Sequence, residues 1–114
     1  MLNKIENHLY EPSPVAAKSI LARRLFFNLT GLPPTLPQLE QFVEDQSADA
    51  YERMVDSLLA SEAYGERMAM EWMDVARYAD SDGYLDDKHR DFSPWRDWVI
   101  GAFNQNMPYD QFVT

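Results

Sequence analysis

The sequence has no cysteine, and only four of its 114 residues are glycine and two are histidine. Without cysteine the chain has no disulfide, no thiolate metal site and no covalent attachment of a c-type haem. It also has neither a glycine-rich phosphate loop nor the G-x-S-x-G elbow of serine hydrolases. The two histidines, His8 and His89, have no metal-ligand spacing, so we expect both at the surface.

Basic residues are scarce too, because ten Lys and Arg stand against nineteen Asp and Glu, a formal net charge of −9. Nucleic acids are polyanions and need a basic protein face. The one basic concentration is Lys18, Arg23 and Arg24, so we expect no nucleic-acid partner. The acidic surface suits solubility, a cationic partner or a cation. No apolar run approaches the ~18 residues of a membrane span, and no signal-peptide pattern is present.

Apolar residues recur at steps of three and four along most of the chain, which is typical of amphipathic helices. Ser13-Pro14 and Ser93-Pro94 are helix-start signals, and Thr35 fits the first position of a capping box. Gly31 and Pro33-Pro34 end the first helix. Helices are predicted to start at Val15, Thr35, Ser47, Ser61 or Gly65, and Ser93. The sequence therefore predicts an all-α fold, a single compact bundle of about five helices with one long acidic loop.

The helical domain is predicted to cover residues 13–114, with no internal repeat. Residues 1–12 are predicted to be an N-terminal extension or a short helix. Residues 109–114 have the pattern of the first turn of a further helix, cut short where the sequence ends.

The stretch from Trp72 to Gly83 places more charged groups among large apolar ones than any other part of the chain. On a helical wheel the fourth helix has one apolar side that continues to Ala79. Met70 and Met73 lie on the other side, where a surface helix has polar residues. We therefore predict that this helix packs on both sides, near the centre of the bundle.

Asp74 and Arg77 lie one turn apart on this helix. If the helix is central, both charges need partners, because an unpaired buried charge is strongly destabilising. We expect an ion-pair network, either between these two or with Arg96 and Asp97 of the fifth helix. The catalytic alternative uses one carboxylate as a general base held by an arginine, with Asp74, Arg77 and Arg96 as candidates.

Residues 80–92 are predicted to form the acidic loop, and a loop of this length is usually functional or mobile. Carboxylates are the hard oxygen ligands that Ca²⁺ takes. The candidate ligands are Asp80, Asp82, Asp86 and Asp91. The pattern departs from an EF-hand, since its glycine comes too early and no glutamate closes the loop. The alternative is an Asx-turn, in which Asp80 and Asp82 cap the exit of the helix.

Several phrases together resemble a known family. Arg23-Arg24-Leu25 and the run from Asn28 to Thr35 are similar to the signature RRL-x-x-DLTGLPPT of a family of secreted bacterial domains. Further similar segments are 50–52, 55–61, 64–67, 72–81, 96–100 and 103–112. The family is known mainly from planctomycetes, is named for its association with cytochromes and has no known function. Asn28 stands where aspartate is common, and Met70 where histidine is common.

The resemblance implies context more than chemistry. Its members look like exported multidomain proteins, in which a haem-bearing cytochrome-c-like module often precedes this domain and another uncharacterised domain follows. It implies a periplasmic or cell-envelope location, partners among other domains of the same polypeptide, and no cofactor in this chain, with haem only on a neighbour. The leading hypothesis is an uncharacterised helical module, structural or interacting in role, of a larger exported cytochrome-associated protein.

Two other hypotheses stay open. One is part of an enzyme acting on an extracellular substrate such as polysaccharide, with a site shared with a missing domain and lined by Asp74, Arg77, Asp80, Asp82 and Arg96. The other is a calcium-stabilised interaction domain built on the aspartates of the acidic loop.

Overall fold

The computed structural model describes residues 13–84 and 86–114, and these form an all-α fold, as predicted. The predicted N-terminal extension, residues 1–12, lies outside the described residues. Within the described residues the helices are α1 (Lys18–Thr30), α2 (Leu36–Glu44), α3 (Ala50–Leu59), α4 (Glu62–Val75), α5 (Ser93–Asn104) and α6 (Tyr109–Phe112). None of them is long and apolar enough to cross a lipid bilayer.

The central element is α4. It packs most extensively against α5, and it also contacts α1 and α3. Helices α2 and α3 pack against α1 and against each other. The predicted central position of the fourth helix agrees with these contacts, but the side with Met70, on which the prediction rested, is exposed.

The core is built from few side chains, several of them small. Among the described residues, the buried apolar ones are Ala22, Phe26, Phe42, Ala50, Leu58, Ala69, Val99 and Ala102. Ala22, Phe42 and Ala50 form the cluster shared by α1, α2 and α3. Because so little is buried, large apolar side chains stay at the surface, including Met70 and Val75 on α4 with exposed fractions of 58% and 77%.

Two helices begin later than predicted. Helix α1 starts at Lys18, and Ser13-Pro14 lies before it without helical structure. Val15, the predicted first residue, is 87% exposed. Since most helical stability in proteins comes from packing, an unpacked first turn is not held. Similarly, Ser47 lies in the turn before α3, which starts at Ala50.

The other boundary signals act as predicted. Helix α4 begins directly after Ser61, the first of the two predicted starts, and α5 begins with Ser93-Pro94. The Gln38 Oε1 atom accepts the Thr35 backbone N–H at 2.9 Å, which closes the capping box of α2. Gly31 ends α1 in the left-handed conformation, with φ of +70°.

A side-chain amide joins the start of α4 to the end of α5. The Asn104 Oδ1 atom accepts the Gly65 backbone N–H at 2.8 Å, and its Nδ2 donates to the Glu62 carbonyl at 3.2 Å. Gly65 is buried, and a Cβ built on it would lie 2.5 Å from the Asn104 side chain. The two helices are therefore antiparallel, and glycine is required where they meet.

Candidate functional site

The end of α4 differs from the sequence-based expectation, because the helix stops at Val75 and does not continue to Ala79. The Tyr78 N–H donates to the Met73 carbonyl at 2.9 Å, and the Arg77 N–H donates to the Asp74 carbonyl at 3.2 Å. This pair of bonds is a Schellman motif. Its left-handed residue is Arg77, with φ of +56°. Glycine is usual there, and an L-residue with a Cβ is strained by about 1 kcal/mol.

Asp74 and Arg77 are both exposed, so the expected buried ion pair is wrong. Within the described residues neither forms an ion pair, and Arg96 binds its neighbour Asp97 at 2.9 Å. Asp74 lies near the exposed residues Met70 and Val75 of α4, and Arg77 lies beyond the end of the helix. Both charges stay in water, where they need no partner.

A cluster of four side chains forms where the chain leaves α4 and enters α5. The Tyr78 hydroxyl donates to Asp80 Oδ1 at 2.7 Å, and the Tyr78 ring stacks on Trp95 at 5.9 Å between centroids. The hydrogen bond to Asp80 raises the pKa of Tyr78 above its usual 10.0, and Arg96 acts in the opposite direction. The pKa of Arg96 is itself raised, chiefly by Asp97.

The structure thus brings two of the predicted candidates, Asp80 and Arg96, to the same tyrosine. Sequence reasoning missed the roles of Tyr78 and Trp95. One signal was available for each: a large apolar residue often follows a helix end by two positions, and Ser93-Pro94 places Trp95 in the first turn of α5.

The acidic loop contains a small hairpin. Ser81 and His89 form an antiparallel bridge. The Asp82 N–H donates to the Lys88 carbonyl, and the Arg90 N–H donates to the Asp80 carbonyl, both at 2.9 Å. His89 is exposed, as predicted, whereas His8 lies outside the described residues.

Each of the four predicted metal ligands binds a different neighbouring residue. Asp80 accepts from Tyr78, Asp82 pairs with Arg90, Asp86 pairs with Lys88, and Asp91 accepts from Ser93. Among the residues with described positions, no three Asp, Glu or His side chains group as metal ligands. The cation site stays a prediction. The Asx-turn alternative for Asp80 and Asp82 is wrong, because the Schellman motif caps the helix.

An aromatic surface lies on α4, α5 and α6, and we define it as Trp72, Trp98, Tyr109 and Phe112. The Phe112 ring packs edge-on against Trp72 at 5.0 Å and stacks on Trp98 at 5.2 Å. Trp98 is 46% exposed and Tyr109 is 69% exposed. A cavity of about 260 Å³ opens beside Phe112 and is lined by Tyr64, Trp72, Phe103, Met107 and Tyr109.

A comparison with family models decides the relationship that the sequence signature indicated. The model of PSCyt2, described as a protein of unknown function (DUF1549), matches residues 1–114. The chain belongs to this family. No curated protein and no solved structure matches the chain.

The PSCyt2 family has no known function, so a functional proposal has to rest on the geometry of the chain. Met70, where the resemblance leads us to expect histidine, is 58% exposed on α4. Asp74 and Arg77 follow it at steps of four and three, and they are exposed as well. In this member of the family the position therefore lies on an open face of α4 and not in an enclosed site.

Proposed function

We propose that this chain is a structural and interaction module of a larger exported, cytochrome-associated protein of the periplasm or cell envelope. Its partner is another domain of the same polypeptide. Membership in a family of unknown function is compatible with this role, and the resemblance stated above supplies the expected context. The small core supports it further, because much apolar surface remains available for contact.

The aromatic surface is the observation that carries the proposal. Trp and Tyr are the side chains that most often dominate binding energy at protein interfaces. Helix α6 has only four residues, too few to be stable as an isolated helix. It is held through Phe112, while Tyr109 on the same turn points largely into solvent. A docked domain would cover Tyr109 and Trp98 and fix this turn.

Hydrogen exchange tests the proposal in the protein as it exists. We would compare residues 105–114 in this chain alone and in the full-length polypeptide. Docking predicts that these amides exchange at least about tenfold more slowly in the full-length protein, which corresponds to roughly 1.4 kcal/mol of closure. Equal exchange in the two proteins would overturn the proposal.

A matched pair of variants adds specificity to this test. Tyr109→Ala removes an exposed aromatic from the surface, and Tyr84→Ala removes one that is 91% exposed on the hairpin. In the full-length protein the first should lose the added protection and the second should keep it. The reverse result would place the contact elsewhere and contradict the role of this surface.

As a second candidate function, we propose that this chain is part of an enzyme that acts on an extracellular polysaccharide. The observation in its favour is the meeting of Asp80 and Arg96 at Tyr78. The test is to measure polysaccharide hydrolysis by the full-length protein and by its Asp80→Asn variant. This variant is isosteric with the parent but has no carboxylate at position 80. Loss of turnover would support this candidate, and unchanged turnover would exclude it.

A further inference from the structure

We propose that the exposed face of α1 binds a short acidic, amphipathic helix of a protein partner. We define the α1 face as Ile20, Arg23, Arg24 and Phe27. It shares no helix with the aromatic surface, so it is a second interaction surface and does not depend on the proposed function.

The side chains of α1 divide between a packed side and an exposed side. The residues that are buried or half-buried on the packed side are Leu21, Ala22, Leu25, Phe26 and Leu29. The α1 face lies on the opposite side of the helix. Ile20 precedes the other three residues of the face by three, four and seven positions, so all four are neighbours along one side. Ile20 is 47% exposed, Phe27 is 38% exposed, and both arginines are exposed.

Helix α1 is basic in an acidic chain. It contains Lys18, Arg23 and Arg24 and no Asp or Glu, whereas the remainder of the chain has seven Lys and Arg against nineteen Asp and Glu, a net charge of −12. Lys18 donates to backbone carbonyls at the end of α2. Within the described part of the chain, neither Arg23 nor Arg24 forms an ion pair. Because interfaces match opposite charges, the partner of this face is acidic.

The two arginines lie on either side of an apolar stripe. Ile20 and Phe27 are two turns apart, about 10 Å along the helix axis, and form the stripe between Arg23 and Arg24. The Arg23 guanidinium lies over the Phe27 ring, with its Cζ atom 5.0 Å from the ring centroid. This contact holds the guanidinium in place and leaves its N–H edges for a carboxylate, which arginine binds with two hydrogen bonds. A helix with an apolar stripe flanked by Asp or Glu matches this pattern.

An extended polyanion fits the α1 face less well than a short helix. A bilayer or a nucleic-acid duplex presents negative charge over an area wider than one helix. It would also meet the helices that pack against α1, where Glu40, Glu44, Glu52 and Asp56 are exposed. A short helix on α1 is affected mainly by charges within the screening length of about 8 Å at physiological salt.

The experiment measures binding of a fluorescent helical peptide of about 15 residues to this chain by anisotropy. The acidic peptide has a leucine stripe flanked by glutamate, and the comparison peptide has glutamine in place of each glutamate. The test variant is R23Q/R24Q. The control is K88Q/R90Q, which removes the same charge from exposed positions on the hairpin. Circular dichroism establishes that each variant keeps its fold and that the two peptides are equally helical.

At about 0.05 M salt we expect R23Q/R24Q to bind the acidic peptide about fivefold more weakly than the parent, and the control to match the parent. At about 0.5 M salt most of this difference should disappear, because the charges are then screened. The glutamine peptide should bind the parent and R23Q/R24Q equally. Equal weakening in the two variants, equal affinity of the parent for the two peptides, or no binding of the acidic peptide overturns the inference.

Two further probes separate a short acidic helix from the extended polyanions. They are vesicles of phosphatidylserine and phosphatidylcholine in equal parts, and a DNA duplex. We expect the parent to bind both more weakly than it binds the acidic peptide. Tighter binding to either one that is lost in R23Q/R24Q would assign the α1 face to that polyanion and overturn the acidic helix. Hydrogen exchange at residues 105–114 tests the proposed function separately, so each can fail without the other.

Discussion

Replacing Gly65 with alanine is the sharpest test of how α4 and α5 are joined. The added Cβ would lie 2.5 to 2.6 Å from three atoms of the Asn104 side chain, too close for any real contact. Either the Asn104 amide moves, or the two helices separate. In both cases the bonds from Asn104 to the Gly65 N–H and the Glu62 carbonyl are lost or weakened.

The expected change in stability has two unfavourable contributions and one favourable one. Overpacking of this kind costs about 1–3 kcal/mol, and each lost hydrogen bond costs about 0.5–1.5 kcal/mol. The better helix propensity of alanine returns about 1 kcal/mol. The net effect is a decrease of about 2 kcal/mol in the free energy of unfolding, which lowers the Tm by roughly 10 °C.

Gly101→Ala is the matched control, because Gly101 lies within α5 and a Cβ there would have no neighbour within 4 Å among the residues that the structure describes. Only the propensity gain remains, so we expect this variant to melt higher by about 4 °C. Circular dichroism during thermal and urea unfolding measures both. Gly65→Ala with a Tm at or above the parent would refute the reasoning. In an Asn104→Ala background the Gly65→Ala change should cost little, since the clash is gone.

Three further predictions concern charge. Asp74 is in the last turn of α4, where the helix dipole disfavours a carboxylate, so Asp74→Lys should raise stability by about 0.5 kcal/mol in urea unfolding; a decrease would reveal a contact of Asp74. Ser47 donates to Asp45 and lowers its pKa below the usual 3.8. This stabilisation is complete above pH ~4 and is lost as the pH falls through the folded-state pKa of Asp45. Between pH ~6 and ~2.5 the Tm of Ser47→Ala should therefore fall by less than the Tm of the parent protein. An equal fall in the two proteins would contradict this reasoning. Adding about 5 mM calcium should change the Tm by no more than about 1 °C, because each of the loop aspartates binds a different residue. A rise of several degrees would establish a cation site.

Most of the fold could be predicted because its boundary signals are local. The capping box at Thr35, the stop at Gly31 and the Ser93-Pro94 start all depend on neighbouring residues, and each behaves as expected. The start at Ser13-Pro14 was wrong because tertiary packing decides whether a first turn is held. Sequence shows the turn chemistry, but it does not show that Val15 is largely exposed.

The site was harder to predict because it depends on where α4 ends. A helical wheel continued through Arg77 and Tyr78 treats both as helical, yet Arg77 adopts a left-handed conformation that its residue type disfavours. That single backbone reversal precedes Tyr78, whose ring stacks on Trp95. Helical periodicity does not indicate that the backbone will leave the helix at a residue other than glycine.

Because α4 and α5 are joined at two places, the segment that connects the two helices can vary in length. Asn104 joins the helices at one end, and the stack of Tyr78 on Trp95 joins the chain near the other. A hairpin inserted between fixed ends affects stability mainly through loop closure, and doubling its length costs only about 0.6 kcal/mol. The tip around Gly83 and Tyr84 is therefore the place to insert a peptide tag or a reporter sequence without disturbing the helices.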